Sequence, residues 1–404
     1  MKRVKQILGS SGRMIFVLIL LFLTFAFAMF QGGFVSWFIF YISVPFIVYS
    51  ILLSFYPLRN LRAERVVHTP RVQSGHRFSA TVTVSRTLPF PLLYTVLEEQ
   101  AQSARFKVRM AESGQRLLIP GFRHQFSWNY EIGEMPRGEH ILEGVVVETA
   151  DFFGWVKKRQ VLPATQSILV YPNTVEMKYR PIGSSFDQGS IAAPYTLVKD
   201  TTMASGIRDY QPGDRVSWIH WKSFARTQTM RTKEFEDRQS QDLFLLDDRS
   251  PSPVFERQVE LIASILTSVV ASHASVAYLS PGTPRAFFPL IQSDEQLQRA
   301  LYHLAKVQDD LDRPIEALVG QDLKQVHVSS LVYVTGSLSR GIVDEIRRNA
   351  TSLSQCLCFV VTEKGQSLTP EDEQNHQYAR SKGFRVKVIE PGNFASAFME
   401  ANRS

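Results

Sequence analysis

The chain has 404 residues, 44% hydrophobic and 21% charged, with a formal net charge of +7. That length suits two or three domains, and the composition excludes wholesale disorder. The two cysteines exclude a disulfide framework. The charge distribution also argues against a nucleic-acid groove. Residues 1–65 hold Lys2, Arg3, Lys5, Arg13, Arg59, Arg62 and Arg65 against Glu64 alone, so nearly all of the net charge belongs to one terminus.

Two uncharged runs explain that terminus. Residues 14–30 and 34–56 carry no charged residue and are separated only by Gln31-Gly32-Gly33. A bilayer core takes about 20 apolar residues at ~1.5 Å each, so the second run spans comfortably and the first just does. The reading is a transmembrane helical hairpin over 14–56, preceded by a basic cytoplasmic segment, 1–13. Ala26-Phe27-Ala28 resembles a signal-peptide cleavage site, but a second span follows at once. Both flanks are basic and the turn is neutral, which predicts a cell-membrane protein with two spans and both termini in the cytoplasm.

Residues 64–171 change to period two. Phe78, Ala80, Val82 and Val84 alternate with polar neighbours, and so do Phe126, Trp128, Tyr130 and Ile132. Half-buried strands at this spacing, bounded by Gly and Pro, predict an antiparallel β-sandwich. Arg137-Gly138 and Asp151-Phe152-Phe153-Gly154 read either as ligand contacts or as a turn glycine and an aromatic plug closing the sandwich. Residues 172–205 lack periodicity and read as a linker.

Residues 206–240 are the least generic part of the chain. Gln211-Pro212-Gly213-Asp214 has turn composition, and Val216 to Trp221 alternates as a short strand would. Lys222, Arg226, Arg231 and Lys233 follow two tryptophans. Cations beside aromatic faces suit an anion or an acidic protein loop. Equally, Arg208, Asp209, Asp214 and Arg226 can pair with one another around a tryptophan seam between domains.

The run Gly206-Ile207-Arg208-Asp209-Tyr210-Gln211-Pro212-Gly213-Asp214, then Ile219-His220-Trp221-Lys222, Ala225-Arg226 and Lys233-Glu234-Phe235-Glu236, resembles the hallmark of the bacterial family called "domain of unknown function 58". Arg137-Gly138, the Asp151–Gly154 run, Val170-Tyr171-Pro172 and the two-span amino terminus are similar to that family's pattern too. The resemblance implies a von Willebrand factor A-like C-terminal domain. It further implies a setting beside MoxR-type AAA+ ATPases and transglutaminase-like membrane proteins. Within the motif, Arg208, Tyr210, Gly213, Asp214, His220, Trp221, Lys222 and Arg226 are the candidates for partner docking.

Residues 241–404 alternate strand-like and helix-like segments, which predicts an α/β domain with a mainly parallel sheet. Leu243–Leu246, Ser275–Leu279, Ala286–Ile291, Leu331–Val334, Cys356–Val361 and Arg385–Ile389 are the expected strands. Ser293 with Gln296 forms a capping-box pattern. Cys356 and Cys358 fall on one face of a buried strand. After the first strand stands Asp248-Arg249-Ser250-Pro251-Ser252, with the D-x-S-x-S spacing of a metal-ion-dependent adhesion site. Asp248, Ser250 and Ser252 offer hard oxygens to Mg²⁺. The resemblance calls for a Thr and an Asp from a later loop. That loop reads Val334-Thr335-Gly336-Ser337, so the Asp is absent and the site incomplete. Ser252 can equally cap the following helix.

These features give a membrane-anchored cytoplasmic scaffold that binds a protein partner, a MoxR-type ATPase by resemblance, with the lipid bilayer as its anchor. No catalytic constellation stands out, so no enzyme is expected. The alternative is a metal-assisted hydrolase using Asp248 with His220 as acid or base.

Overall fold

The computed structural model describes residues 2–69, 71–110, 113–180, 204–211, 218–235, 243–325, 330–349 and 355–398. The chain divides into two compact units, Met1–Pro172 and Asn173–Ser404.

The first unit opens with α1 (Lys2–Gln31) and α2 (Phe34–Phe55). They meet at Gly32 and Gly33, whose φ angles of 59° and 84° lie where only glycine sits without strain. α2 is long and apolar enough to cross a membrane, and only 17% of its most apolar stretch is buried. The apolar part of α1, Ile15–Gln31, is shorter.

Strands follow: β1 (Leu61–Val67), β2 (Val72–Gln73), β3 (Phe78–Arg86) and β4 (Tyr94–Ala101), then α3 (Ala104–Met110), β5 (Gln115–Leu118), β6 (Gln125–Ile132), β7 (Gly138–Ala150) and β8 (Lys157–Tyr171). They form two sheets, β1-β3-β6 and β2-β8-β7-β4-β5. The alternation expected for β3 and β6 holds, with Phe78, Ala80, Val82 and Val84 inside with Phe126, Trp128, Tyr130 and Ile132. Arg65 of β1 reaches Glu99 of β4 at 2.7 Å, both side chains buried, and Tyr130 of β6 donates to the same carboxylate. This pair bridges the two sheets.

Four readings need correction here. The sheets are not wholly antiparallel, because the two-residue β2 runs parallel to β8. The α3 turn was not foreseen. Phe152 and Phe153 do not plug the sandwich: they are 46% and 56% exposed, and their rings meet Phe46 of α2. Asp151 and Val156 are the buried residues of that turn. Gly138 is not a turn glycine but opens β7, opposite Val170, at φ 131°.

The second unit contains β9 (Ala204–Asp209), α4 (Trp221–Thr227) and β10 (Arg231–Phe235), with β9 and β10 paired antiparallel. The α/β part follows as β11 (Leu243–Asp247), α5 (Phe255–Ala271), β12 (Val276–Ser280), β13 (Ala286–Ile291), α6 (Asp294–Lys306), α7 (Glu316–Gln325), β14 (Ser330–Thr335), α8 (Arg340–Asn349), β15 (Gln355–Val361), α9 (Pro370–Ser381) and β16 (Phe384–Ile389). The sheet order is β13-β12-β11-β14-β15-β16, parallel except for β13 at one edge. Near-continuous apolar strands explain it, since both faces are covered. Leu245, Val332 and Phe359 pack with α5 and α6 on one face. Phe244, Leu331, Cys356 and Cys358 pack with α7 and α8 on the other. The capping box of Ser293 and Gln296 forms as the sequence suggests.

The linker reading of 172–205 fails at its start. Met177 and Tyr179 are buried in the α/β core, and the Val175 N–H donates to Ser264 Oγ at 2.9 Å. Residues 181–203 lie outside the described residues.

Candidate functional site

β11 ends in two aspartates at the point where the strand order reverses, between β11 and β14. In open α/β sheets this crevice beyond the carboxyl ends is where ligands bind. Consecutive strand residues face opposite sides, so Asp247 and Asp248 serve different faces. Each has its own pair of hydroxyls. Asp247 Oδ2 accepts from Tyr278 and Ser280 of β12, both at 3.1 Å. Asp248 Oδ2 accepts from Tyr333 at 2.7 Å and Thr335 at 2.6 Å, both on β14. Its Oδ1 accepts the Ser250 N–H at 2.9 Å.

The environments differ. Asp247 is wholly buried, its Oδ1 has no hydrogen-bond partner among the described residues, and burial pushes its pKa up to about 6. Asp248 is 5% exposed and has three donors. Burial raises the pKa of both Tyr278 and Tyr333, and the adjoining carboxylate raises it further.

The turn itself is braced from both sides. Gln258 of α5, with its amide set to satisfy both neighbours, donates to the Asp248 carbonyl at 3.0 Å and accepts from the Gly336 N–H at 2.7 Å. A Cβ at Gly336 would stand 2.5 Å from Ser252 Oγ, so a side chain there would force the turn apart. Arg249 is fully buried. Its guanidinium donates to the carbonyls of Gln308, Thr283 and Pro284 and pairs with Asp310. Ser252 does not cap α5; that position is Val254, whose N–H lies 3.4 Å from Ser252 Oγ.

These oxygens do not fit a resident Mg²⁺. The ion needs an octahedron of oxygen lone pairs. Asp248 is the sole carboxylate of the D-x-S-x-S turn, and protein donors already occupy both its oxygens. Among the described residues no three His, Cys, Asp or Glu side chains gather as a cation would require. Asp248 and His220 share no hydrogen bond among the described residues: Tyr333, Thr335 and the Ser250 N–H hold Asp248, and His220 Nδ1 accepts the Ser223 N–H at 3.1 Å as the N-cap of α4.

The motif segment forms a separate small element. Val216 and Ser217 of the expected strand lie outside the described residues; after them Ile219 bridges to Thr232, and the chain turns helical at Trp221. Arg208 donates to the Asp209 carbonyl, Asp209 pairs with Arg231, and the Tyr210 N–H donates to the Met230 carbonyl. Trp221 is 56% exposed. Lys222 and Arg226 are exposed, and neither has a hydrogen-bond or ion-pair partner among the described residues. Gly213 and Asp214 lie outside the described residues.

The comparisons with known proteins bear on this same region. The family described as "Protein of unknown function DUF58" matches residues 206–371, which hold both the motif hairpin and the aspartate turn. The uncharacterized protein YeaD of Bacillus subtilis (strain 168) is 33% identical over 390 residues, covering 96% of this chain and 97% of that one. The chain belongs to the DUF58 family. Among solved structures, the bacterial hydrophobin BslA is 11% identical and covers 30% of this DUF58 chain and all of its own, at a TM-score of 0.19. Cwp6 from Clostridium difficile is 9% identical and covers 85% of this chain and 64% of its own, at a TM-score of 0.17. Scores this low carry no fold argument.

Sequence reading singled out Asp248 but missed Asp247, Arg249, Gln258 and Tyr333. A signal was present: Tyr278-Leu279-Ser280 and Tyr333-Val334-Thr335 repeat one pattern, tyrosine and hydroxyl two apart, on the strands flanking Asp247-Asp248.

Proposed function

We propose that this chain is a membrane-anchored adaptor. The α1–α2 hairpin holds it in the cell membrane, with both ends on the cytoplasmic side. The β9–α4–β10 element offers a cationic and aromatic surface to an acidic protein partner. The family resemblance makes a MoxR-type AAA+ ATPase the first candidate, and a transglutaminase-like membrane protein the second.

The observation that carries the reading is the face of α4. Lys222 and Arg226 stand four apart on one side of a short helix, where like charges cost about 0.2–0.5 kcal/mol. Trp221 adds a half-exposed ring beside them. Tryptophan and arginine are the residue types that dominate interface energetics, and free cations steer an acidic partner toward them. The aspartate turn supports the same reading from the opposite side. The Asp248 charge is absorbed by internal donors, which suits a structural clamp better than a reacting group.

The test is co-purification of the MoxR-type ATPase with the full-length chain from membranes. Trp221→Ala and Arg226→Glu should each lower recovery by tenfold or more, as expected where a hot-spot residue is worth about 2 kcal/mol. Recovery equal to that of the unaltered chain with both variants would remove this surface as the docking site.

A further inference from the structure

The strongest unabsorbed feature is the turn between β7 and β8, which meets α2 midway along its length rather than at its end. Phe46 lies 5.3 Å from Phe152 and 5.5 Å from Phe153, ring centre to ring centre. Ser50 Oγ donates to Asp151 Oδ2, pinning the turn to the helix. On α1, Phe16 meets Trp155 edge-on at 6.2 Å. At the carboxyl end of α2, Lys158 Nζ takes the orphan carbonyls of Ser54 and Tyr56 at 2.9 and 2.5 Å, which fixes that end to the sandwich.

Depth follows from helix geometry and rests on the membrane anchor proposed above. The 22 residues of α2 measure about 33 Å, against a hydrocarbon core of about 30 Å. The helix exceeds the core by about 3 Å, so an upright span places its carboxyl end at the core boundary. Phe46 is nine residues inward of Phe55, or about 13 Å. Phe152 and Phe153 therefore lie within the cytoplasmic leaflet. Trp155 meets α1 only three residues from Arg13, nearer the interface, where tryptophan is favoured. The two phenylalanines keep about half their surface uncovered, continuous with the exposed apolar flank of α2.

Between the turn and α2 lies a cavity of about 270 Å³, bounded by Phe38, Ile42, Phe46 and Ile47 of the helix and by Phe153 and Trp155 of the turn. Ser43 also borders it, but its hydroxyl is spent on the Phe40 carbonyl. Water gains no partner there, whereas hydrocarbon loses nothing on entry.

We infer that residues 151–155 form a lipid-inserted wedge and that the cavity behind it takes a phospholipid acyl chain. The sandwich is then seated in the leaflet as well as tethered to it.

The test uses the full-length chain in phospholipid nanodiscs containing a phosphatidylcholine with a photoactivatable diazirine midway along one acyl chain. Cross-linked residues are mapped by mass spectrometry. Labelling is expected on the outward residues Phe34 and Tyr41 of α2 and on Phe153 or Trp155. Filling the cavity with Ser43→Phe should cut labelling of 153–155 several-fold and leave Tyr41 unchanged. Labelling of α2 without the turn overturns the wedge but keeps the anchor, and labelling of neither overturns the anchor as well. Turn labelling unaffected by Ser43→Phe overturns acyl-chain occupancy of the cavity.

Discussion

Arg249 gives the most direct measurement of what holds the aspartate turn. Its guanidinium is wholly buried and serves acceptors on two other connections, at 283–284 and at 308–310. Arg249→Met keeps much of the volume and removes every donor. Breaking a buried ion pair costs about 3–5 kcal/mol, because the remaining partner loses its compensation. Here the lower end applies. The Asp310 side chain is 35% exposed and can turn to water, and the three carbonyls sit on surface loops. A loss of about 3 kcal/mol raises the opening equilibrium roughly 150-fold. The chain supplies its own reporter, since its only cysteines, Cys356 and Cys358, are free and buried in β15. Pulsed thiol labelling of the full-length protein in nanodiscs should accelerate by that factor. Arg249→Lys should behave nearly as badly, because an ammonium cannot reproduce the planar fork. Labelling of the Met variant at the unaltered rate would show that the three connections hold without Arg249.

Two further expectations concern the aspartates. The folded pKa of Asp247, about 6, lies above its ordinary 3.8, so the fold prefers the protonated acid. Its stabilising contribution is complete below about pH 3.8 and is lost as pH rises through about 6, a change on the order of 3 kcal/mol. Asp247→Asn should remove that trend, seen as a difference from the unaltered chain in thiol labelling between pH 4 and 7.5; parallel curves would refute it. Millimolar Mg²⁺ should leave labelling unchanged, because a ion that bound only the native state would protect it by mass action; protection that vanishes in Asp248→Asn would restore the metal site.

Where the sequence was legible, the reason is local. The alternation in β3 and β6 and the apolar run of β11 are decided by burial on one face or both, so pattern alone sufficed. Short elements escaped it. Val175, Met177 and Tyr179 do alternate, but three residues are too few to separate a core segment from a linker. At the end of the expected Val216–Trp221 strand, His220 supplies a side-chain cap to the Ser223 N–H and the chain turns helical at Trp221. The aspartate site was half-visible for a different reason. D-x-S-x-S lies within five residues, whereas the donors that satisfy Asp248 come from Tyr333 and Thr335, more than eighty residues later.

That non-locality bears on function. An aspartate read alone looks like a vacant ligand, and only its distant donors show how its charge is spent. The same accounting applied to α4 gives the opposite result. Lys222 and Arg226 have no described partner, and Trp221 keeps half its surface. A buried, satisfied charge contributes rigidity, while an exposed, unsatisfied one retains interaction free energy for an encounter. Both lie within the matched stretch, residues 206–371, and the docking role proposed for α4 draws on both: a stiff α/β body and an outward cationic helix. Asp248 is held by Tyr333 and Thr335, and His220 by its cap. Variants that free Asp248 should therefore loosen the turn before they alter any chemistry.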